Sequence, residues 1–309
     1  MKVIVIVGPT ASGKTSLSIE LAKKIYGEIV SCDSMQIYKD MNIGSAKPTV
    51  EEMQGIKHYM IDIMEPNERF SVAEYKTKAE QAIEEIIAKG KTPIVVGGTG
   101  LYADSLIYGI EYPQIEFDEE YRNYLEECAN NENGLKKLYN EAKNIDSEAI
   151  KKISINDKKR IIRILEIYHS TGKTKTQLEQ ESRKNGAKYD FIVFALNMDR
   201  EILYDRIDKR VDAMIESGLI DEVKNLLSKY NTFPTAMQGL GYKEVAQYLQ
   251  GILTREEMIE KIKQETRKYA KRQLTWFRKN KQITWLNALE SSETNVNIIL
   301  NELKNNNHY

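Results

Sequence analysis

Cysteine is nearly missing from this chain, with only Cys32 and Cys128 present. Two thiols so far apart cannot build a disulfide framework or a four-ligand zinc site, which sets aside stapled secreted domains and zinc-finger folds. Proline is also scarce, 6 residues in 309, and this excludes collagen-like, Pro-rich and wholly disordered classes. No apolar run is long enough to cross a bilayer, and the opening stretch Val3 to Val7 is too short for the apolar region of a signal peptide. Neither charge is in excess. Lys and Arg number 45 against 46 Asp and Glu, a formal net charge of -1, so total charge advertises no nucleic-acid or membrane partner. These absences lead us to expect a soluble, cytoplasmic protein. With 41% hydrophobic residues there is material for one large domain or two modest ones.

What is present has an order. Val3 to Val7 is an unbroken β-branched run, as expected of a strand buried on both faces. A glycine-rich turn follows, then a helix from about Ser16 to Tyr26 with Leu17, Leu21 and Ile25 on one stripe. Glu28 to Cys32 reads as a second strand, Val72 to Lys89 as a long helix ended by Gly90, and Pro93 to Val96 as another strand. Strand, helix and strand in alternation predict a parallel α/β sheet. From about Asp118 to Gly186 the β-runs vanish and charged helical segments take over, Glu119 to Cys128, Leu135 to Lys143 and Asp157 to Thr171. Phe191 to Leu196 returns to strand character. The expected layout is therefore a core in two parts, 1–115 and 189–309, with an all-helical insertion over 116–188 and a helical C-terminal region. Leu203 to Glu216, Ile220 to Tyr230, Tyr242 to Gln250 and Arg255 to about Asn280 supply those helices, and the tail Asn305 to Tyr309 is expected to fray.

Gly8-Pro9-Thr10-Ala11-Ser12-Gly13-Lys14-Thr15 fits G-x-x-x-x-G-K-[ST], between a buried strand and an amphipathic helix. Gly8 and Gly13 let the backbone curl so that successive N–H groups point inward. Lys14 brings a positive charge to the outer phosphate, the helix N-terminus adds its dipole, and Thr15 can offer a hydroxyl to Mg²⁺. A compound carrying a diphosphate or triphosphate is expected here. Such loops commonly bind nucleotides, ATP included, and then a carboxylate ends another strand to hold the metal. The strand Ile94-Val95-Val96 ends instead in Gly97-Gly98-Thr99-Gly100. Asp33 does end the second strand, at the sheet's carboxyl edge, where it could be a metal ligand, a general base or a cap.

Charge is unevenly spread despite its near-zero sum. Between Lys261 and Lys281 there are nine basic residues and one acid, interleaved with Tyr269, Trp276 and Phe277; a second basic cluster runs from Lys151 to Arg163. Such a run is either a solvated helix face or the footprint of a polyanion. The aromatics are expected in the core rather than as base-stacking platforms.

Taken in order, several segments resemble the tRNA dimethylallyltransferases. They are the loop Gly8 to Thr15, Asp33-Ser34-Met35-Gln36-Ile37-Tyr38, Asn42-Ile43-Gly44-Ser45-Ala46-Lys47-Pro48 and Gly97-Gly98-Thr99-Gly100-Leu101-Tyr102. Arg206 to Met214, Gln238 to Glu244 and Tyr269 to Phe277 continue the likeness, which runs from Val3 to about Trp285. There are departures. His58-Tyr59 stands where the family usually has two histidines, Ser45 where it has threonine, and Asp157-Lys158-Lys159-Arg160 where it has Asp-Pro-Gln-Arg. Two cysteines cannot make the zinc finger of eukaryotic members, so the likeness is to the bacterial form.

The resemblance implies a P-loop NTPase-like core and transfer of a dimethylallyl group from dimethylallyl diphosphate to N6 of adenosine 37, beside the anticodon. The loop residues Gly8, Thr10, Ala11, Ser12, Gly13, Lys14 and Thr15 would then hold diphosphate as a leaving group, with Mg²⁺ on Thr15. Asp33 would take the proton from the attacking amine, while Thr10 and Arg210 meet the charge on the departing diphosphate. Taken alone, Arg210 would read as half of a surface ion pair with Asp208 or Asp212. By the same matching, tRNA would be contacted by Asp33, Ser34, Met35, Gln36 and Thr99, by Arg122 and Lys159, Arg160, Ile161, Ile162 and Arg163 of the insertion, and by Lys271 and Arg272. The reactive base would have to be extruded from its stack, and the protein is expected to work as a monomer.

Overall fold

The computed structural model describes residues 2–112, 118–182 and 186–305. In chain order the elements begin β1 (Lys2–Val7), α1 (Lys14–Ile25), β2 (Gly27–Cys32), α2 (Val50–Met53), β3 (His58–Tyr59), α3 (Val72–Ala88), β4 (Thr92–Gly97) and α4 (Gly100–Ile107). Next come α5 (Glu119–Asn130), α6 (Gly134–Ile145), α7 (Ser147–Ile150), α8 (Lys158–Thr171) and α9 (Lys175–Glu181). The chain then returns to β5 (Asp190–Asn197), α10 (Arg200–Glu216), α11 (Leu219–Lys229), α12 (Tyr242–Leu249), α13 (Arg255–Phe277), β6 (Thr284–Asn287) and α14 (Ser292–Asn305). Two compact units result: Met1–Ile107 with Lys188–Tyr309, and Tyr108–Ala187.

The first unit is a six-stranded sheet in the order β3-β2-β4-β1-β5-β6, with every pairing parallel. Side chains alternate across a strand, so the uninterrupted apolar run of β1 must fill two cores at once. Val3, Val5 and Val7 enter one core, together with Tyr75, Ala79 and Ile83 of α3 and Val211, Val223 and Val245 of the C-terminal helices. Ile4 and Ile6 enter the other, under Leu17 and Leu21 of α1 and Val296 and Ile299 of α14. Helix α3 starts on a capping box, in which the Ser71 hydroxyl accepts from the Glu74 N–H and the Glu74 carboxylate accepts from the Ser71 N–H.

The second unit is helical. Leu125, Leu138, Ala142, Ile150, Ile161, Ile162 and Leu165 form its core. Asp157 caps α8 by accepting the Arg160 N–H at 3.2 Å, and Gly172 ends it with φ 66°.

Several elements depart from the sequence expectation. Strands β3 and β6 are short and lie at the sheet's two edges, where no continuous apolar run is required. Helix α14 extends to Asn305, so that residue closes a helix rather than fraying, while residues 306–309 lie outside the described residues. The domain boundary expected at 115/116 also lies outside them; the two units divide between residues 107 and 108.

Candidate active site

Three loops converge at the carboxyl edge of the sheet, after β1, β2 and β4, beside the place where chain order switches sides around β1. The loop after β1 curls tightly. Gly13 holds φ 89° as it turns into α1, and Ala11 takes a left-handed φ of 61°, a conformation L-residues adopt at some cost. Ser12 is 2% exposed and its hydroxyl has no hydrogen-bond partner among the described residues. A buried polar atom without a partner is costly, so the loop is set up to receive an acceptor. Lys14 Nζ donates to the Pro9 carbonyl at 2.6 Å. Burial first, then the nearby Arg210 charge, lower the Lys14 pKa from its ordinary 10.5 to about 7, and Asp33 opposes them.

Asp33 follows β2 directly. Its Oδ1 accepts the Met35 N–H at 2.8 Å and, less closely, the Gln36 N–H at 3.4 Å, while Oδ2 has no hydrogen bond among the described residues. One oxygen therefore fastens the turn, as aspartates at turn starts do, and the other stays open for chemistry. Of the three alternatives raised by the sequence, the cap is seen in Oδ1, while the open Oδ2 leaves room for either the base or the metal ligand. The neighbouring turn after β4 is bound to it: the Thr99 N–H donates to the Cys32 carbonyl at 3.2 Å, and Thr99 Oγ1 accepts the Ser34 N–H at 3.1 Å.

Arg210 comes from α10. The ion pairs open to it on its own helix are taken from α13: Arg267 binds Asp208 and Lys263 binds Asp212, at 2.7 and 2.6 Å. Arg210 makes no ion pair among the described residues. Burial lowers its pKa, and the charges of Asp33 and Glu52 raise it in turn. Lys14, Asp33 and Arg210 thus act on one another electrostatically across three separate elements.

The expected tRNA-contacting residues separate into classes. Lys159, Arg160 and Arg163 are exposed along α8, and Lys271 and Arg272 along α13. Ile161 and Ile162 are 0% and 1% exposed in the core of the helical unit, so their side chains cannot meet RNA; helical period puts them on the inner face. Arg122 holds Glu126 and Glu166 at 3.0 and 2.9 Å and ties α5 to α8. Gln36 is largely engaged as well, accepting from Ser31 Oγ at 2.9 Å and donating to the Ala46 carbonyl at 3.3 Å.

The aromatic expectation needs correction. Only Phe277 is core; Trp276 is 36% exposed and donates to Asp104 at 2.9 Å, and Tyr269 lies beside the Thr99 hydroxyl. Sequence reasoning also missed a role for Gln273, which bonds the first and third loops. Its place inside a basic helix is the only local signal it had. Among the described residues no cluster of His, Cys, Asp or Glu could by itself hold a metal. Thr15 is exposed at the start of α1, the position from which a hydroxyl can share Mg²⁺ with phosphate oxygens.

The parallel sheet and the Gly8 to Thr15 loop define a P-loop NTPase-like α/β protein. The IPP transferase family model matches residues 36–280, and the chain belongs to that family. It is 53% identical over 289 residues to a tRNA dimethylallyltransferase of Acetivibrio thermocellus, covering 93% of this chain and 92% of that one. Among solved structures it is similar to the full-length tRNA isopentenylpyrophosphate transferase of Bacillus halodurans, with TM-score 0.74, 42% identity, and coverage of 98% and 96%. A eukaryotic dimethylallyltransferase acting on tRNA matches with TM-score 0.81 and 33% identity, over 98% of this chain and 80% of that one. No helix among the described residues is long and apolar enough to cross a membrane.

Proposed function

We propose that this protein moves a dimethylallyl group from dimethylallyl diphosphate to N6 of adenosine 37 in tRNA, releasing diphosphate. The observation that carries the reading is the grouping of Asp33, with one open carboxylate oxygen, and two buried-side cations, Lys14 and Arg210, around the Gly8 to Thr15 loop. The allylic C–O bond breaks as the C–N bond forms. Its electron pair leaves with the diphosphate, and the amine proton passes to Asp33 Oδ2. An exocyclic adenine amine is a weak nucleophile, so a positioned base speeds its attack. Loop amides, the Thr10 and Ser12 hydroxyls, Lys14 and Arg210 stabilise the negative charge that gathers on the leaving group. Mg²⁺, held by Thr15 together with the diphosphate, would add charge neutralisation there.

The acceptor base must leave its stack to reach Asp33, and Ser34, Met35 and Thr99 border the place it would occupy. Lys271 and Arg272 would bind phosphates, and so would Lys159, Arg160 and Arg163 on the helical unit, giving affinity without touching the reacting atoms. Family membership and relatives named for this reaction support the assignment. The test is mass analysis of nucleosides from an anticodon stem-loop RNA incubated with dimethylallyl diphosphate and Mg²⁺, with and without the protein. Dimethylallyl-adenosine at position 37 is the expected product. Its absence, or steady ATP hydrolysis that Lys14→Ala abolishes, would overturn the reading.

A further inference from the structure

Gln273 is 5% exposed, and its amide joins two loops of the site. Oε1 accepts the Thr10 N–H at 3.0 Å, and Nε2 donates to the Gly98 carbonyl at 2.8 Å. Only a primary amide of this length offers a donor and an acceptor side by side without charge. The fit is close: a Cβ on Gly98 would stand 2.2 Å from Nε2, so glycine there leaves room for the amide. Because the Thr10 N–H is committed to Gln273, the part of Thr10 left for an anion is its hydroxyl. The direction of that hydroxyl follows from the backbone that Gln273 holds.

The same face of α13 continues along the turn after β4. Tyr269, one helical turn earlier, lies beside the Thr99 hydroxyl, and Trp276 donates to Asp104 and covers Gly100. Thr99 in turn holds the Ser34 N–H, next to Asp33. A continuous series of contacts thus runs from the loop after β1, through Gln273, to the turn bearing Asp33. Lys271 and Arg272 flank it on the exposed side.

Resting on the proposed transfer reaction, we propose that Gln273 is a positioning residue: it aims the Thr10 hydroxyl at the diphosphate and locks that aim to the Asp33 side of the site. The role is exerted through Thr10, so its loss should matter only while the Thr10 hydroxyl is present.

The test is a double-mutant cycle of Thr10→Val and Gln273→Met, with thermal melts to confirm folding. The probe is inorganic diphosphate with Mg²⁺, titrated calorimetrically without tRNA. Each single substitution should weaken binding by about 3- to 10-fold, the worth of one hydrogen bond. The double variant should be no weaker than Thr10→Val within about twofold, the sign of coupled residues. In single-turnover transfer, Gln273→Met should slow the step by roughly tenfold or more at saturating donor, as misaimed groups do. Gly98→Ala, which displaces the amide from the other side, should reproduce the Gln273→Met pattern and serves if Gln273→Met does not fold. Losses that multiply in the double variant, or diphosphate affinity unchanged in Gln273→Met, would overturn the proposal, as would a wild-type chain that binds no diphosphate. A wild-type chain that binds diphosphate but makes no dimethylallyl-adenosine would instead defeat the transfer reading, and the cycle would still decide the role of Gln273.

Discussion

Helices α8 and α13 look alike as sequence, each a run of basic residues in a nearly neutral chain, and they differ once folded. On α8, Lys159, Arg160 and Arg163 stand at the surface over a row of buried isoleucines; Lys159 has no ion pair among the described residues, and Arg160 and Arg163 meet only Asp157 and Glu166, at 3.5 and 3.4 Å. On α13 the charge is divided. Lys263, Arg267 and Lys268 are bound by Asp212, by Asp208 and Glu260, and by Glu265, while Lys271 and Arg272 have no ion pair among the described residues. The inner face of α13 then carries Tyr269 and Gln273 into the site. A count of basic residues therefore measures neither helix correctly. In the proposed function the exposed charge of α8 serves RNA binding, whereas on α13 part of the charge is taken up by ion pairs within the fold and Gln273 beside it is bound to the loops of the site.

This contrast can be broken by substitution. The largest effect on RNA binding should come from neutralising Lys159, Arg160 and Arg163 together. Affinity for tRNA should fall on the order of 10²-fold at low salt, and the slope of log affinity against log salt should shrink by roughly 2 to 3. Transfer at saturating tRNA should hold near the wild-type rate; a collapse of that rate would place α8 in the chemistry. Neutralising Lys271 and Arg272 should lower the salt slope by roughly 1 to 2, again with turnover falling less. An unchanged slope, read by filter binding across a salt series, would make them a solvated face.

A smaller effect concerns pH. Lys14 is charged below about 7 and neutral above it, its pKa being lowered from 10.5 by burial and by Arg210. Since the charged form attracts the anion, diphosphate affinity should fall relative to Lys14→Arg as pH rises through about 7. Calorimetry at a series of pH values reads the ratio, and a flat ratio would show that Lys14 stays protonated. The smallest effect should be that of Lys263→Met, whose charge is already paired with Asp212: its tRNA salt slope should match wild type. A slope reduced as much as by Lys271 would erase the division of α13.

The parts legible in sequence were those whose physics is local. A loop that wraps phosphate fixes glycines and a lysine at short spacing, and a strand buried on both faces must be continuously apolar; hence Gly8 to Thr15 and Val3 to Val7 could be read directly. Arg210 depended on resemblance, because what frees it from Asp208 and Asp212 is a helix far along the chain. Gln273 left no local trace beyond its place inside a basic helix: its partners are backbone atoms 263 and 175 residues away. Trp276 misled for a related reason. A large aromatic is normally buried, and only the approach of Gly100 and Asp104 explains its place at the surface.

In the proposed reaction there is a division of labour: Asp33 faces the amine and Arg210 faces the diphosphate. Donor binding measured by calorimetry without tRNA, in Asp33→Asn and Arg210→Ala, tests it most directly when paired with single-turnover transfer. Asparagine can still accept the Met35 N–H but cannot take a proton, so Asp33→Asn should bind dimethylallyl diphosphate almost normally while transfer slows by roughly 10² to 10⁴. Arg210→Ala should bind the donor clearly more weakly and also slow transfer, with Arg210→Lys recovering only part. Weak donor binding in Asp33→Asn together with normal donor binding in Arg210→Ala would contradict the account, placing Asp33 with the metal and diphosphate and Arg210 with the RNA.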